Sequence, residues 1–262
     1  MITIEKDRIH NIPFLHIVKQ NNFSTKIPLV IFVHGFTSIK EKNLHYAYLL
    51  AEKGFRVVLP EALFHGERSK NISGKDLNFH FWEIVLNTIE EIPIIKDYFE
   101  AKGTIDTGRI GLAGTSMGGI VTLGALSKYD WIHAAVVLMG SPSYEEFAKW
   151  QLQNMKKYGI DLNVSQDEVD SLLEKVRKYD LTLQPEKLRN RPVLFWHGKK
   201  DQAVPFHYSL EFYERIKKDY DPDRLMFILD ENAGHEVSKE GIANTVLWFE
   251  KHLTRYNSHS VN

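Results

Sequence analysis

Cysteine is absent from all 262 residues, which removes disulfide scaffolds, thiol nucleophiles and thiolate metal sites together. An excess of charge is missing too. With 33 basic and 34 acidic residues the formal net charge is -1, so no global field draws the chain onto nucleic acid or an anionic membrane. No apolar run approaches the roughly 18 residues of a membrane span. The opening residues Met1 to Arg8 carry charges of both signs instead of the apolar core of an export signal. The expected compartment is the cytoplasm, and the expected partner is a small, roughly neutral molecule, with no nucleic acid and no membrane. On that expectation the Asn-X-Ser matches at Asn22, Asn71 and Asn163 are read as chance. No H-E-x-x-H pair or comparable cluster occurs, so no metal is expected. A homodimer is compatible with this composition.

What is present is enough apolar residue, 43% of the chain, for one large core, and a single domain over residues 1–262 is expected. Met1 to Glu5 and Ile12 to Lys19 read as an antiparallel hairpin at a sheet edge. Six further runs are short, rich in β-formers and nearly continuous in apolarity: Leu29 to Val33, Phe55 to Leu59, Arg109 to Ala113, Ala135 to Met139, Val193 to Trp196 and Leu225 to Leu229. Such runs predict strands buried on both faces. Helical patterns lie between them at Leu44 to Lys53, Leu77 to Ala101, Gly118 to Lys128, Phe206 to Lys218 and Ser238 to Leu253. The alternation predicts an α/β fold with a mainly parallel eight-stranded sheet flanked by helices, and functional groups at the carboxyl ends of its strands. From about 142 to 191 the alternation lapses. Amphipathic helical patterns follow each other there without a strand, as expected of a small helical cap inserted into the sheet domain.

Gly114-Thr115-Ser116-Met117-Gly118 joins the Arg109 to Ala113 strand directly to a helical run, the context required of a G-x-S-x-G nucleophile elbow. A serine hydroxyl is a weak nucleophile at neutral pH and needs a base, usually histidine. Sites built on such an elbow carry their partners in the order Ser, Asp or Glu, His, each after a late strand. Of the 12 histidines, His235 satisfies that order, in Asn232-Ala233-Gly234-His235 just past the Leu225 to Leu229 strand. Asp201 follows the Val193 to Trp196 strand and is the expected acid, with Asp230 and Glu231 as rivals. His34-Gly35-Phe36 follows the Leu29 to Val33 strand, where one oxyanion-hole amide is placed. The Phe36 and Met117 N–H groups are the expected donors. His65 reads as a group that stabilises its loop. Phe36, Phe64, Trp82, Met117, Phe147 and Trp150 are expected to line the substrate pocket because they belong to or neighbour these motifs in sequence.

The chain resembles the serine carboxylesterase branch of the α/β-hydrolases, near the dienelactone hydrolase-like and prolyl-oligopeptidase-like groups. The resemblance covers nearly the whole length. It is carried by Val33-His34-Gly35-Phe36-Thr37-Ser38, Leu59-Pro60-Glu61-Ala62, His65-Gly66, Gly111 to Gly119, His197-Gly198-Lys199-Lys200-Asp201 with Val204-Pro205, and Gly234-His235. The overall arrangement is similar to small bacterial cytoplasmic esterases that act on short acyl esters. Two departures stand out. Glu61 occupies a position where related sequences often have Asp, and serine stands where dienelactone hydrolases proper use cysteine, which argues against that activity. The resemblance implies the reaction type, ester hydrolysis through an acyl-enzyme on Ser116, a serine chemistry that needs no cofactor. The small cap with its apolar pocket residues favours short-chain neutral carboxylic esters as substrates. Two alternatives stay open: a serine peptidase or amidase of the prolyl-oligopeptidase-like branch, and a ligand-binding protein with a vestigial hydrolase site.

Overall fold

Mixed apolar and charged residues leave β1 (Ile2–Ile9) largely at the surface, whereas β2 (Ile12–Lys19), reached through a turn at His10 and Asn11, is buried from Ile12 to Val18. The chain continues through β3 (Ile27–Val33), α1 (Leu44–Glu52), β4 (Arg56–Pro60), α2 (Gly74–Phe79), α3 (Phe81–Ala101), β5 (Ile105–Thr115), α4 (Met117–Lys128) and β6 (Ala134–Leu138). It ends with α5 (Tyr144–Lys157), α6 (Gln166–Arg177), β7 (Val193–Gly198), α7 (His207–Ile216), β8 (Leu225–Asp230) and α8 (Lys239–Leu253). The computed structural model describes residues 1–70, 72, 74–157 and 165–254. Residues 158–164 of the expected cap, and parts of the Asn71 and Asn163 sequons, therefore fall outside the described residues.

One eight-stranded sheet runs in the order β1-β2-β4-β3-β5-β6-β7-β8. It is antiparallel where β2 meets β1 and β4, and parallel from β4 to β8. Alternation along each strand splits the core in two. Leu29, Ile31 and Val33 face a cluster with Ile84 of α3, Ile120 of α4 and Phe212 of α7. Val30 and Phe32 face the opposite cluster, with Leu50 of α1 and Phe249 of α8. The chain leaves β3 toward β4 on one side and returns to β5 on the other, so the loops after β3 and β5 diverge and leave a crevice at the strand ends. Register brings Val33 beside Gly114, Thr115 beside Leu138, and Gly198 beside Asp230, lining up the carboxyl ends along one rim.

The structure departs from expectation at four places, the first being β1, which runs to Ile9 and does not end at Glu5. The pattern from Leu77 to Ala101 is not one helix, because His80 leaves helical geometry at φ -90 and ψ 2, where its ring contacts Glu83 at 2.6 Å and the Phe64 ring at 4.9 Å. β8 is not buried on both faces. As the last strand it forms an edge, and Met226 is 41% exposed. β5 begins four residues early, at Ile105, through an irregular pairing of Ile105 with Ile27 that carries no apolar signal across Asp106-Thr107-Gly108.

The entry to α4 shows how tightly the elbow is built. A Cβ on Gly118 would lie 2.1 Å from the Val33 carbonyl oxygen, a backbone atom that cannot swing aside. Gly118→Ala should therefore destabilise the fold by at least about 2 kcal/mol, as overpacking against rigid neighbours does. Urea denaturation reads this directly, and an unchanged midpoint would mean that α4 and β3 separate freely.

Candidate active site

Ser116 sits between the last residue of β5 and the first of α4, with φ 56 and ψ -115. Positive φ is costly for a residue with a Cβ, on the order of 1–3 kcal/mol. It is maintained here by the Ser116 N–H, which donates to the Leu138 carbonyl at 2.7 Å, and by the packing of α4 onto the sheet. The Ser116 Oγ lies 2.8 Å from His235 Nε2, and His235 Nδ1 lies 2.7 Å from Asp201 Oδ2. A carboxylate can only accept, so Nδ1 carries the ring proton and Nε2 presents its lone pair to the serine hydroxyl. These three residues, 119 and 34 positions apart in sequence, form one hydrogen-bonded chain across the strand ends.

Asp201 is held from several sides. Its Oδ1 accepts the Ala203 and Val204 N–H groups, each at 2.9 Å, and its Oδ2 lies 3.3 Å from His197 Nε2. Burial alone would raise its pKa. Hydrogen bonding with His197, His235 and the Val204 N–H outweighs that penalty and keeps the carboxyl well below the usual carboxylate range, ionised at neutral pH. The loop of His235 is tied to the loop of Asp201 through Lys200 N–H donating to the Ala233 carbonyl at 2.9 Å. Asp230 has a different task, since its Oδ1 accepts the Asn232 and Ala233 N–H groups and closes the turn after β8.

The loop after β3 lies against the elbow, with a Cβ position on Gly35 only 3.6 Å from Ser116 Cβ. Met117 begins α4, so its N–H has no intrahelical acceptor. Neither it nor the Phe36 N–H finds an acceptor among the described residues. Beneath this loop is a buried polar network. Lys40 Nζ lies 2.8 Å from Glu61 Oε2, 2.6 Å from Glu67 Oε1 and 3.0 Å from Glu41 Oε1. Burial opposes the Glu61 charge, but the contacts with His34 and Lys40 win and draw its pKa down to about 2. Gly66, at φ 45, leaves room for this carboxylate, which a Cβ would meet at 2.1 Å.

Above Ser116 and His235 is a cavity of about 270 Å³. Phe36 and Thr37 enter it from the β3 loop, Asn78 from α2 and Phe81 from α3. Phe147, Gln151 and Met155 enter from α5, and Ala203 and Val204 from the loop after β7. Of the six expected pocket residues only Phe36 and Phe147 line it, and the Met117 side chain is buried in the core instead. Trp82 turns one position away from Phe81 and is buried against Tyr144, ring centroids 5.1 Å apart. Trp150 stacks on the outer side of Phe147 at 5.5 Å, because the cavity face of α5 repeats every four residues through 147, 151 and 155. Phe64 lies against His80. The four-residue spacing from Phe147 would have found Gln151 and Met155, whereas nothing local marks Asn78 or Phe81. A larger cleft of about 400 Å³, lined by residues such as Pro185, Arg215 and Tyr220, shares no residue with this cavity and holds no serine or histidine. Among the described residues no cluster of three metal-ligating side chains occurs, and no helix is long and apolar enough to cross a membrane.

Residues 43–255 match the family model described as the prolyl oligopeptidase family. Over 255 residues the chain is 56% identical to the "Putative esterase YitV" of Bacillus subtilis (strain 168), covering 97% of this chain and all of that protein. It is 28% identical to Esterase YjfP of Escherichia coli (strain K12), covering 97% and 100% of the two chains. The fold also matches the solved acylaminoacyl peptidase of Pyrococcus horikoshii with a TM-score of 0.72 at 20% identity, over 98% of this chain and 42% of that one.

Proposed function

Because the chain belongs to the prolyl oligopeptidase family, we propose that it is a serine carboxylesterase that hydrolyses short-chain neutral esters through an acyl-enzyme on Ser116. The observation that carries this reading is the continuous relay from Ser116 Oγ through His235 to the buried Asp201 carboxylate, at 2.8 and 2.7 Å. In it the Ser116 oxygen attacks the ester carbonyl carbon while its proton passes to His235 Nε2. The Phe36 and Met117 N–H groups donate to the oxyanion that develops. His235 returns the proton to the departing alcohol, leaving the acyl group on Ser116. Water, deprotonated by the same nitrogen, then attacks the acyl carbon, and the proton goes back to Ser116 as the carboxylic acid leaves.

Neutral substrates fit the lining, in which, among the described residues, His235 is the one ionisable side chain beside aromatic, aliphatic and uncharged polar groups. A cavity of about 270 Å³ also favours short acyl chains. Each methylene that fits adds about 0.8 kcal/mol of apolar burial. The kcat/KM for p-nitrophenyl esters should therefore rise over the first few carbons, then fall once the chain meets Phe147 and Met155. Acetyl to hexanoyl esters are expected to be preferred over dodecanoyl, with no effect of EDTA. A preference for long-chain emulsified substrates would overturn the pocket assignment. The likeness to a peptidase carries a second reading, amide hydrolysis, and a peptide amide series run beside the esters separates them: activity confined to the amides would replace the esterase proposal.

A further inference from the structure

The loop that carries Phe36 is held at both ends by the segment that follows β4. On the near side, His34 Nδ1–H donates to the Gly35 carbonyl at 2.8 Å, and His34 Nε2 lies 3.1 Å from the Ala62 nitrogen and 3.2 Å from Glu61 Oε1. On the far side, the Thr37 N–H donates to His65 Nε2 at 3.0 Å, while His65 Nδ1–H donates to the Leu63 carbonyl at 2.8 Å. Further along, the Lys40 N–H donates to Glu61 Oε1 at 3.1 Å, and the Lys40 ammonium binds the same carboxylate through its other oxygen. Lys40, Glu61, His34 and His65 are all at most 3% exposed. A buried ion pair is a poor stabiliser compared with apolar residues of the same volume, so stability alone does not account for placing one under a loop. Thr37 gives a second sign that the loop is held against its own preference. Its φ of 61 is left-handed, a region that a β-branched residue avoids.

We propose that His65 and the buried Glu61–Lys40 pair are positioning residues for ester hydrolysis, fixing residues 34–40 so that the Phe36 N–H meets the oxyanion at Ser116. The proposal rests on the reading of Ser116 as nucleophile. Residues on both sides of Phe36 are tied to one short segment, 61–65, and the Phe36 ring is itself wedged between His65 and Phe81 at 5.6 and 5.3 Å. His65 can accept from Thr37 only while its ring is neutral. Burial, the largest influence on it, pushes its pKa down and so preserves that state. Releasing Thr37 from His65 lets the loop relax toward ordinary φ, which moves the neighbouring Phe36 amide. The loss falls on the transition state, where the oxyanion exists, and little on binding of the ester.

The test compares His65→Leu with His65→Gln, whose side-chain oxygen can still accept from Thr37, using p-nitrophenyl butyrate and thermal unfolding. His65→Leu should lose kcat on the order of tenfold to a hundredfold with KM within about threefold, and His65→Gln should keep most of the activity. Thr37→Gly, which adopts the left-handed backbone freely, should recover much of the lost kcat when added to His65→Leu, measured against Thr37→Gly alone. If leucine at 65 does not fold, His65→Asn, too short to reach Thr37, takes its place. A wild-type kcat in the variant that cannot accept, equal losses with and without the acceptor, or a loss confined to KM overturns the proposal. Ser116→Ala run in parallel separates the two layers: full activity there removes the nucleophile reading, while an inactive Ser116→Ala beside an unimpaired His65→Leu removes only the positioning role.

Discussion

Ser116→Ala is expected to abolish ester turnover, lowering kcat on the order of 10⁶-fold, while the protein remains folded. The size of the effect follows from the geometry. Among the described residues only the Ser116 hydroxyl is 2.8 Å from a histidine nitrogen that is itself oriented by a buried carboxylate, and on the proposed reading its removal leaves His235 and Asp201 nothing to activate except water. Folding should survive because removing one partly accessible hydroxyl leaves the elbow intact. The Ser116 N–H still donates to Leu138, and Ile120 N–H still donates to the carbonyl of residue 116. Alanine tolerates the strained backbone no worse than serine. Steady-state kinetics with p-nitrophenyl butyrate, together with circular dichroism, checks both parts. Near-wild-type turnover in a folded variant would place the nucleophile elsewhere.

Asp201→Asn should lower kcat by roughly 10³- to 10⁴-fold. The hydrogen bonds decide which way the amide turns. The Ala203 and Val204 N–H groups both require an acceptor at the Oδ1 position, so the amide oxygen stays there and the NH₂ replaces Oδ2 opposite His235 Nδ1. A donor at that point moves the ring proton to Nε2, and Nε2 can then no longer take a proton from Ser116. Asp230→Asn should change kcat by less than about threefold, because that side chain serves the turn after β8 and its contact with Ser238, and no described hydrogen bond joins it to His235. The two variants assayed side by side separate the readings. A severe defect in Asp230→Asn with a mild one in Asp201→Asn would transfer the acid role to residue 230.

The proximity of Ser116, Asp201 and His235 was readable because each lies within five positions of the end of a strand, and the carboxyl ends of a parallel sheet line one rim whatever the details of packing. The glycines of the elbow were readable for a similar reason, as the approach of Gly114 to the Gly118 backbone, where a Cβ would lie 2.3 Å away, is a local requirement of a sharp strand-to-helix turn. The cavity was not readable in this way. Whether Phe81 or Trp82 faces it depends on how α3 is rotated, which its packing on the sheet and on Tyr144 decides. Proximity to a motif in sequence pointed to Trp150, but its neighbour Gln151 lies on the cavity face of α5. Glu61 stood out only as a departure from related sequences. Its partner Lys40 comes from a different loop, 21 residues earlier, and only the folded chain brings them together. The exposure of β8 follows from strand order, since an edge strand and a central strand can share the same apolar run.

Labelling the native protein with a fluorophosphonate and locating the adduct by peptide mass spectrometry tests the central claim most directly, because phosphonylation requires an activated serine and reports it independently of any chosen substrate. One adduct per chain is expected, on Ser116, appearing in step with loss of esterase activity, slowed in Asp201→Asn and absent in Ser116→Ala. An adduct on another residue, or full esterase activity in protein stoichiometrically labelled at Ser116, would contradict it.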